Sequence, residues 1–296
     1  MLYHYTSLDA LKSILGDAKT DKGLCFWATR FDYFGDTDEY LLGIDTIGRL
    51  LPRLEERLLP DCRIASSFVW EEIAGNESLP FPYVVSFSSR CDNEHMWNKY
   101  ACNGKGVVME VDDSQKIVNE YTEGIVSKKC LYLGELNDDE LYKEIEDEFF
   151  AGSFGLLAGP LKNSVLGLLA TDPRFFVALV GRYLLSYVAP RIKGKRFYQE
   201  EETRVIIAPP RAEMQKYVGP SREILKAMSI DPDKYEQKMM SEKVRKRANG
   251  DTVYYQDLYL PGSVLRRVYV KDIALVGEVK ETLSSAGFEN VDVVVG

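Results

Sequence analysis

Residues 83–111 read YVVSFSSRCDNEHMWNKYACNGKGVVMEV, with two strand patterns on either side of a helix pattern. Residues 83–88 are rich in β-branched and aromatic side chains, which favour an extended backbone. Residues 92–101 begin with an aspartate and an asparagine, which suit a helix N-cap. Two glycines then lead into a second strand pattern at 107–111. The segment therefore predicts a strand–helix–strand unit in the middle of the chain.

Strand and helix patterns also alternate on both sides of this unit. Further strand patterns occur at 2–5, 23–29, 197–208, 253–260, 263–270, 273–276 and 291–295. Further helix patterns occur at 8–16, 36–47, 137–190, 221–249 and 279–286. Strands before, between and after blocks of helix favour an α+β fold over a regular parallel α/β fold. We expect mixed, mostly antiparallel sheets in a single domain of residues 1–296, with a large helical insertion at about 137–190 and a charged helical segment at about 221–249.

Length and composition are those of an ordinary globular protein. The chain has 296 residues, of which 45% are hydrophobic and 28% are charged, which is enough for a sizeable core. No stretch reaches about 18 consecutive apolar residues, and the first residues lack a basic start followed by an apolar region. We therefore expect no membrane helix and a cytoplasmic location.

Charge and cysteine content narrow the classes of function. The net charge of −9 argues against broad nucleic-acid binding, because phosphate backbones need a basic surface. The basic run at 238–247 is a local exception, although such runs are most often solvated helix faces. Five scattered cysteines without a CxxC pair, and only two histidines, offer little for a zinc site or a disulfide framework. We expect reduced thiols and no metal site.

Residues 197–207 read FYQEEETRVII and place charged side chains directly before an apolar run. In an extended strand, Glu200, Glu202 and Arg204 lie on one face, because side chains alternate. Charges beside a core are costly unless they are paired or used. A carboxylate held by Arg204 stays ionised at neutral pH and can stabilise the oxocarbenium ion that develops in glycosidic cleavage. A structural ladder of salt bridges is the alternative interpretation.

Two earlier segments carry polar groups that suit a sugar or phosphate ligand. His4, on the first strand, can bind a ribose hydroxyl through one ring nitrogen while the protein fixes the other, or it can be an ordinary core histidine. Ser86 and Ser88 share one face of the middle strand, opposite Phe87, and can support a ligand or simply end the strand in a polar turn. Arg90 follows where a strand leads into a helix, a position that suits a phosphate.

These segments together resemble the three-part signature of ADP-ribosyltransferases. That signature has a His or Arg on the first strand, a Ser-rich middle strand and a late strand with the catalytic Glu; here the corresponding residues are His4, Ser86-x-Ser88 and Glu200-x-Glu202. The resemblance implies NAD as the substrate, with His4 on the adenosine-side ribose and Ser88 supporting the site. It also implies that Glu202 engages the nicotinamide ribose and that Glu200 is placed as in enzymes that modify a side chain.

Longer stretches are similar to the bacterial family called Domain of Unknown Function 2971. They are HYTSLDALKSIL at 4–15, FWATRFDYFGDTDE at 26–39, residues 84–112 and FYQEEETRVII at 197–207. Tyr5, Thr6 and Arg204 are among the positions that match the recurrent features of this family, and we also predict them to belong to the binding site. The family usually has an Asn-Asp-Pro turn where this chain has Gly35-Asp36-Thr37. The family name implies no activity, so it supports a fold grouping rather than a reaction.

Several functions stay open at this point. The first is an NAD-dependent ADP-ribosyltransferase or NAD glycohydrolase with a macromolecular acceptor; transfer of a terminal RNA phosphate is a related option that calls for a more basic cleft. The second is a non-catalytic binding or regulatory module, as part of a toxin or phage-defence system, that uses the charged segment after Ser221. The third is a metal-dependent hydrolase or nuclease with Asp36, Glu39 and Glu200 as ligands. For Asp36 and Glu39, helix capping is the simpler role.

Overall fold

The computed structural model describes residues 1–16, 23–34, 37–60, 66, 70–71, 81–112, 125–134, 137–152, 167, 176–181, 183–208, 243–246 and 250–296. Within these ranges, strands β1–β12 are Leu2–Thr6, Gly23–Arg30, Tyr83–Ser88, Val107–Val111, Ile125–Lys129, Leu131–Leu133, Ile192–Gly194, Glu202–Ile207, Lys243–Lys246, Thr252–Pro261, Leu265–Val270 and Asp292–Val295. Helices α1–α5 are Leu8–Gly16, Thr37–Leu58, Glu94–Tyr100, Asp138–Gly152 and Val276–Ser285. Two π-helical turns are Val177–Gly181 and Leu184–Val188. The 3-10 turns are Phe31–Tyr33, Ala189–Arg191, Lys195–Glu200, Gly262–Val264 and Ile273–Leu275.

Ten of these strands form one sheet. Its order is β12-β11-β4-β1-β3-β2-β10-β9, with β8 paired to β3 and β5 paired to β8. All its pairs are antiparallel except β11–β12. Strands β6 and β7 form a separate parallel pair. The predicted α+β fold with a mixed, mostly antiparallel sheet is therefore confirmed. In the described ranges, no helix combines the length and the apolar character needed to span a bilayer.

The large sheet forks at β3. Strand β8 pairs along the whole of one edge of β3. On the other edge, β2 pairs with Tyr83 and Val84, and β1 pairs with Ser88. No described strand pairs with Val85–Phe87 on that edge, so β1 and β2 diverge there. We call the gap between β1 and β2 the fork.

The two faces of the sheet bury separate apolar clusters. On the α1 face, helices α1 and α5 pack against strand residues that include Phe26, Phe87 and Val205. On the α2 face, helices α2 and α4 and the π-helical turns pack against Val84 and Ile206. Neighbouring residues such as 205 and 206 lie on opposite faces because strand side chains alternate.

The same alternation places polar side chains of β3 and β8 together on the α2 face. Ser86 and Ser88 share this face, as predicted, and so do Glu202 and Arg204. In the register of the two strands, Ser86 is opposite Arg204 and Ser88 is opposite Glu202. Directly opposite residues of antiparallel strands carry neighbouring side chains. The polar ends of the middle and late strands therefore meet beside the fork.

The predicted strand at 197–208 begins later than the sequence pattern indicated. Lys195–Glu200 forms a 3-10 turn, and β8 begins only at Glu202. Glu201, between them, has a left-handed backbone with a φ of 42°. The prediction that Glu200 and Glu202 share a strand face was therefore wrong, because the turn and the left-handed residue interrupt the extended backbone.

Other local predictions were also wrong. Residues 243–246 lie in the segment predicted to be helical, but they form β9, because pairing with β10 satisfies their backbone at the sheet edge. Residues 273–276 were predicted to be extended, but Asp272 caps a 3-10 turn there by accepting from the Ala274 amide, and α5 follows at once. Strands β5, β6 and β7 were not predicted.

Some predictions fall outside the described residues. These are the turn at Asp36, residues 153–166, 168–175 and 182 of the helical insertion, and residues 221–242 and 247–249 of the charged segment. The described start of the insertion is helical, as α4, and its described end consists of the π-helical turns and a 3-10 turn.

Candidate functional site

A cleft of about 740 Å³ opens along the fork. Sites for small molecules typically measure roughly 300–1,000 Å³. Strands β1, β2, β3 and β8 line the cleft together with α1, α3 and the turn before β8. Its described lining includes the aromatic residues Tyr3, Tyr5, Phe26, Trp27, Phe34, Tyr100 and Phe197. Its charged side chains are Glu39, Lys99, Lys193, Glu200, Glu202, Arg204 and Arg245.

His4 stands on the β1 side of the fork with one ring nitrogen fixed. Its Nδ1 lies 3.0 Å from the carbonyl oxygen of Ser86, so Nδ1 carries the proton and donates. The ring packs edge-on against Phe26 and near Phe87, with centroids 5.1 and 5.5 Å away. Burial lowers the pKa of His4 despite the opposing hydrogen bond, so the ring is neutral at neutral pH. Its Nε2 is then an acceptor, and it bonds to no residue that the structure describes.

Arg204 holds the carboxylate of Glu202 in the floor of the cleft. Its Nε donates to Oε1 of Glu202 at 2.7 Å, and its Nη2 donates to Oε2 at 3.2 Å. Nη2 also donates to Oε2 of Glu39 at 2.7 Å, and Nη1 donates to the carbonyl of Pro190. One guanidinium thus satisfies two carboxylates and a carbonyl, which fixes its position.

Lys193, from β7, joins three carboxylates. Its Nζ lies 2.7 Å from Oε2 of Glu200, 2.5 Å from Oε2 of Glu202 and 3.3 Å from Oε1 of Glu39. The Lys193 side chain is only 2% exposed. No sequence pattern singles out this lysine, because it is one of four basic residues in the run RIKGKR at 191–196. The structure alone identifies it as the centre of the network.

This network keeps the acids ionised. Burial alone raises the pKa of Glu202, but Arg204 and Lys193 outweigh burial and hold the pKa at about 2. Burial also opposes ionisation of Glu200, yet Lys193 and Lys99 keep its pKa below the usual value. The carboxylates raise the pKa of Lys193 although burial opposes this shift. Both acids are therefore negative, and the lysine positive, at neutral pH.

The left-handed backbone at Glu201 lets Glu200 and Glu202 reach the same lysine. The Ser89 amide donates to the Glu201 carbonyl at 3.0 Å, and the Ser89 hydroxyl donates to Oε2 of Glu201 at 3.0 Å. Arg90 Nη1 adds a longer contact of 3.3 Å to Oε1. A left-handed backbone costs a non-glycine residue roughly 1–2 kcal/mol. The contacts with Ser89 and Arg90 help to offset that cost.

Substitutions of Glu201 are expected to separate backbone strain from side-chain contacts. The free energy of unfolding of Glu201→Gly should stay within about 1 kcal/mol of the wild-type value, because relief of backbone strain offsets the loss of exposed side-chain contacts. Glu201→Val should be less stable by about 1–3 kcal/mol, because a β-branched residue is strained at positive φ. Urea unfolding measures both, with Glu201→Ala as the control for loss of the side chain. Equal stability of the Val and Gly variants would contradict the left-handed assignment.

The structure does not bring Ser88 and Arg90 into the cleft. Ser88 is fully buried, and its hydroxyl donates to the Glu200 carbonyl at 2.9 Å. The guanidinium of Arg90 pairs with Asp92 and Glu201. Ser88 therefore stabilises the turn that carries Glu200. Arg90, which was predicted to bind a phosphate, pairs instead with these two carboxylates outside the cleft.

The other predicted residues of β1 and β3 do line the cleft. Ser86 contributes its carbonyl to His4, and Tyr5 and Thr6 continue the β1 wall. The Tyr5 hydroxyl donates to the Arg90 carbonyl at 2.7 Å and accepts from an amide of the α3 cap at 3.2 Å. Tyr5 thus lines the cleft, while its ring packs against Trp97 and its hydroxyl ties β1 to the start of α3.

Helix α3 supplies the outer partners of Glu200. Lys99 Nζ and the Tyr100 hydroxyl both donate to Oε1 of Glu200, at 2.8 and 2.9 Å. Asn93 starts the helix by accepting from the Met96 amide. Tyr100 is 40% exposed, so this side of the network reaches the mouth of the cleft.

The acids of the cleft are neutralised by side-chain cations. Lys193 Nζ occupies the position between Glu39, Glu200 and Glu202 that a bound cation would need. In the part of the chain that the structure describes, no group of three or more His, Cys, Asp or Glu side chains is arranged to hold a metal ion. Asp36, the remaining residue of the metal hypothesis, lies outside the described residues. The described geometry therefore offers that hypothesis no ligand set.

Comparisons with known proteins assign no family. No protein-family model, no curated protein and no solved structure matches this chain. The resemblances to ADP-ribosyltransferases and to Domain of Unknown Function 2971 therefore stay predictions. The functional inference rests on the geometry of the fork.

Proposed function

We propose that this chain is an NAD-consuming enzyme of the ADP-ribosyltransferase type, which cleaves the nicotinamide glycosidic bond. The observation that carries the proposal is that His4, Ser86 and Glu202 line a single cleft. They come from an early, a middle and a late strand, in the order that the sequence motif has. The cleft is also of a size that suits a nucleotide ligand.

The state of His4 suits recognition of a ribose. Its Nδ1 proton is committed to the Ser86 carbonyl, and its Nε2 has no described partner in a residue that lines the cleft. A ribose hydroxyl can donate to that nitrogen. The ring is held by Phe26 and Phe87, so little side-chain freedom is lost when the ligand binds.

The state of Glu202 suits stabilisation of positive charge. When the bond between C1′ and the nicotinamide nitrogen breaks, its electron pair goes to the nitrogen, and the ribose gains oxocarbenium character. The acceptor then forms a bond to C1′ and loses its proton. Glu202, with a pKa of about 2, is negative throughout and costs no reorganisation as the charge develops. Arg204 and Lys193 hold it in place.

Glu200 is the candidate for orienting the acceptor. Glu200 lies two residues before Glu202 in the sequence, and its carboxylate is also ionised. Its Oε1 meets Lys99 and the half-exposed Tyr100 near the mouth, where a hydroxyl of an acceptor or a water can approach. This placement of Glu200 suits transfer of ADP-ribose to a macromolecule and hydrolysis by water equally.

Titration with NAD tests the ligand. We expect the wild-type protein to bind NAD in a calorimetric titration, and His4→Phe to bind it roughly three- to tenfold more weakly, because one hydrogen bond is lost. Phenylalanine keeps the ring between Phe26 and Phe87, and a thermal melt of each variant controls for folding. Absence of NAD binding by the folded wild type would remove the proposal.

A second candidate is a non-catalytic nucleotide-binding module. The specific observation in its favour is that both oxygens of Glu202 already accept hydrogen bonds from Arg204 and Lys193. A carboxylate so fully paired can be a structural element of the cleft. NAD binding without release of nicotinamide, with or without cell extract as a source of acceptor, would favour this candidate.

The cellular setting belongs to the same proposal. Cys91, Cys102 and Cys130 are free thiols and Cys25 is a buried thiol, which suits a reducing cytoplasm. Consumption of NAD is compatible with the predicted role as a toxin or phage-defence effector. That role depends on the acceptor and stays a prediction.

A further inference from the structure

Trp27, Tyr255 and Arg245 form a contact group on the β2 side of the fork, with the two rings tilted by 45° to each other; we call this group the shelf. The rings of Trp27 and Tyr255 have centroids 5.3 Å apart. The guanidinium carbon of Arg245 lies 5.1 Å from the Trp27 ring centroid and 5.8 Å from that of Tyr255. Arg245 Nη2 also donates to Thr29 Oγ1 at 3.2 Å, which fixes the guanidinium against β2. Trp27, Thr29 and Arg245 all line the cleft.

His4 on β1 and Trp27 on β2 line the same cleft from the two strands that border the fork. Trp27 lies in the part of β2 that has left β3, because β2 pairs with β3 only through Thr29 and Arg30. His4 lies in the part of β1 that has left the same edge, because β1 pairs with β3 only through Tyr3. A ligand in the fork can therefore meet a hydrogen-bond acceptor from β1 and a stacking surface from β2.

The chemistry of the shelf suits a nucleobase with an adjoining phosphate. Aromatic rings and guanidinium planes are the surfaces on which bases stack in proteins. A guanidinium can stack through its plane while its edge donates to phosphate oxygens. Lys99, Lys193 and Arg204 pair with the three acids of the cleft, and Arg245 adds one further positive charge on the side of the shelf.

We propose that the shelf is a base-stacking site, which holds the nucleobase and phosphate of one nucleotide while His4 binds the ribose of that nucleotide. The inference rests on the proposed function and names the half of the dinucleotide that the fork binds, namely the adenosine phosphate half. Nicotinamide and its ribose then lie toward Glu202 and Glu200. No sequence pattern marked the shelf, because its residues come from β2, β9 and β10.

The test is calorimetric binding of adenosine 5′-monophosphate, with ribose 5-phosphate as the probe that lacks a base. Trp27→Ala is expected to raise the dissociation constant for the nucleotide by about five- to 150-fold, as loss of one base stack implies. It should leave binding of ribose 5-phosphate within about twofold. Trp27→Phe should lose less affinity for the nucleotide than Trp27→Ala does, and it remains a usable test if the Ala variant does not fold. Arg245→Met should weaken both probes, because both contain a phosphate.

The outcomes separate this inference from the proposed enzyme. Unchanged affinity for the nucleotide in both Trp27 variants, or an equal loss for both probes, would overturn the shelf. Binding that depends on Trp27, in a protein that releases no nicotinamide, would keep the shelf and remove the enzyme. Release of nicotinamide that depends on Glu202, in a protein whose affinity for the nucleotide does not change in the Trp27 variants, would keep the enzyme and remove the shelf.

Discussion

Lys193→Met is expected to lower the free energy of unfolding by about 3–5 kcal/mol, the usual effect of removing one partner from a buried ionic network. The ammonium contacts Glu39, Glu200 and Glu202, and it is almost fully buried with two of them. Methionine has a similar length but no charge. Arg204 still pairs with Glu39 and Glu202 in the variant, but Glu200 loses its inner partner.

The pH dependence of this loss distinguishes electrostatics from packing. The folded pKa of Glu202 lies at about 2, below the ordinary value of 4.5. Its pairing therefore contributes stability above about pH 4.5, and that contribution is lost as the pH falls through about 2. Urea unfolding should show that the difference in the free energy of unfolding between Lys193→Met and the wild type narrows as the pH falls over this range. A gap that stays constant with pH would show that the lysine acts only by filling space.

A second substitution serves as the matched control. In Lys193→Met with Glu200→Gln, the unpaired carboxylate is removed as well. We expect the double variant to recover part of the lost stability, because neighbouring charges in one network are not additive. A double variant that is less stable by the sum of both single losses would contradict a direct interaction between Lys193 and Glu200.

Glu202→Gln is expected to lower kcat for nicotinamide release by about 100- to 1,000-fold, with little change in KM. Glutamine keeps the size of the side chain and one acceptor oxygen, but it removes the negative charge, and its amide nitrogen cannot accept from Arg204 or Lys193. Loss of one preorganised group that stabilises the transition state typically has an effect of this size. A loss confined to kcat indicates an interaction made in the transition state rather than in the bound substrate.

The neighbouring acid provides the control for this substitution. Glu201 is adjacent in sequence, but its side chain contacts Ser89 and Arg90 and does not line the cleft. Glu201→Gln should therefore keep kcat within about twofold of the wild type. Equal losses in both variants would mean that the local charge, rather than Glu202 itself, supports turnover.

Much of the fold could be predicted from local patterns. The strand at Tyr83–Ser88 and its alternation of serines with Phe87 followed from residue types alone, since period-two alternation is a local property. The fork depends on pairing between strands that are distant in the chain and could not be predicted, and the pairing with β10 that makes Lys243–Lys246 a strand is not visible in its helical pattern. Pairing with β10 makes that basic segment a strand, although its own sequence pattern favours a helix.

The candidate site was predictable only in part, for a similar reason. His4, Glu202 and Arg204 were identified because charged or polar groups next to apolar strands are unusual. Lys193 and Arg245 were missed, since side chains that they contact, Glu39 and Trp27 respectively, are distant in the chain. The left-handed residue that brings two acids to one lysine also has no local signature, because glutamate seldom adopts that backbone.

Nicotinamide release from NAD, compared between the wild type and Glu202→Gln in one assay with cell extract as a source of acceptor, tests the central claim most directly. The fork as an NAD-cleaving site predicts release by the wild type that is nearly absent in the variant, while both proteins still bind NAD. Equal release by the two proteins would contradict the role of Glu202. A folded wild type that neither binds nor cleaves NAD would contradict the account as a whole.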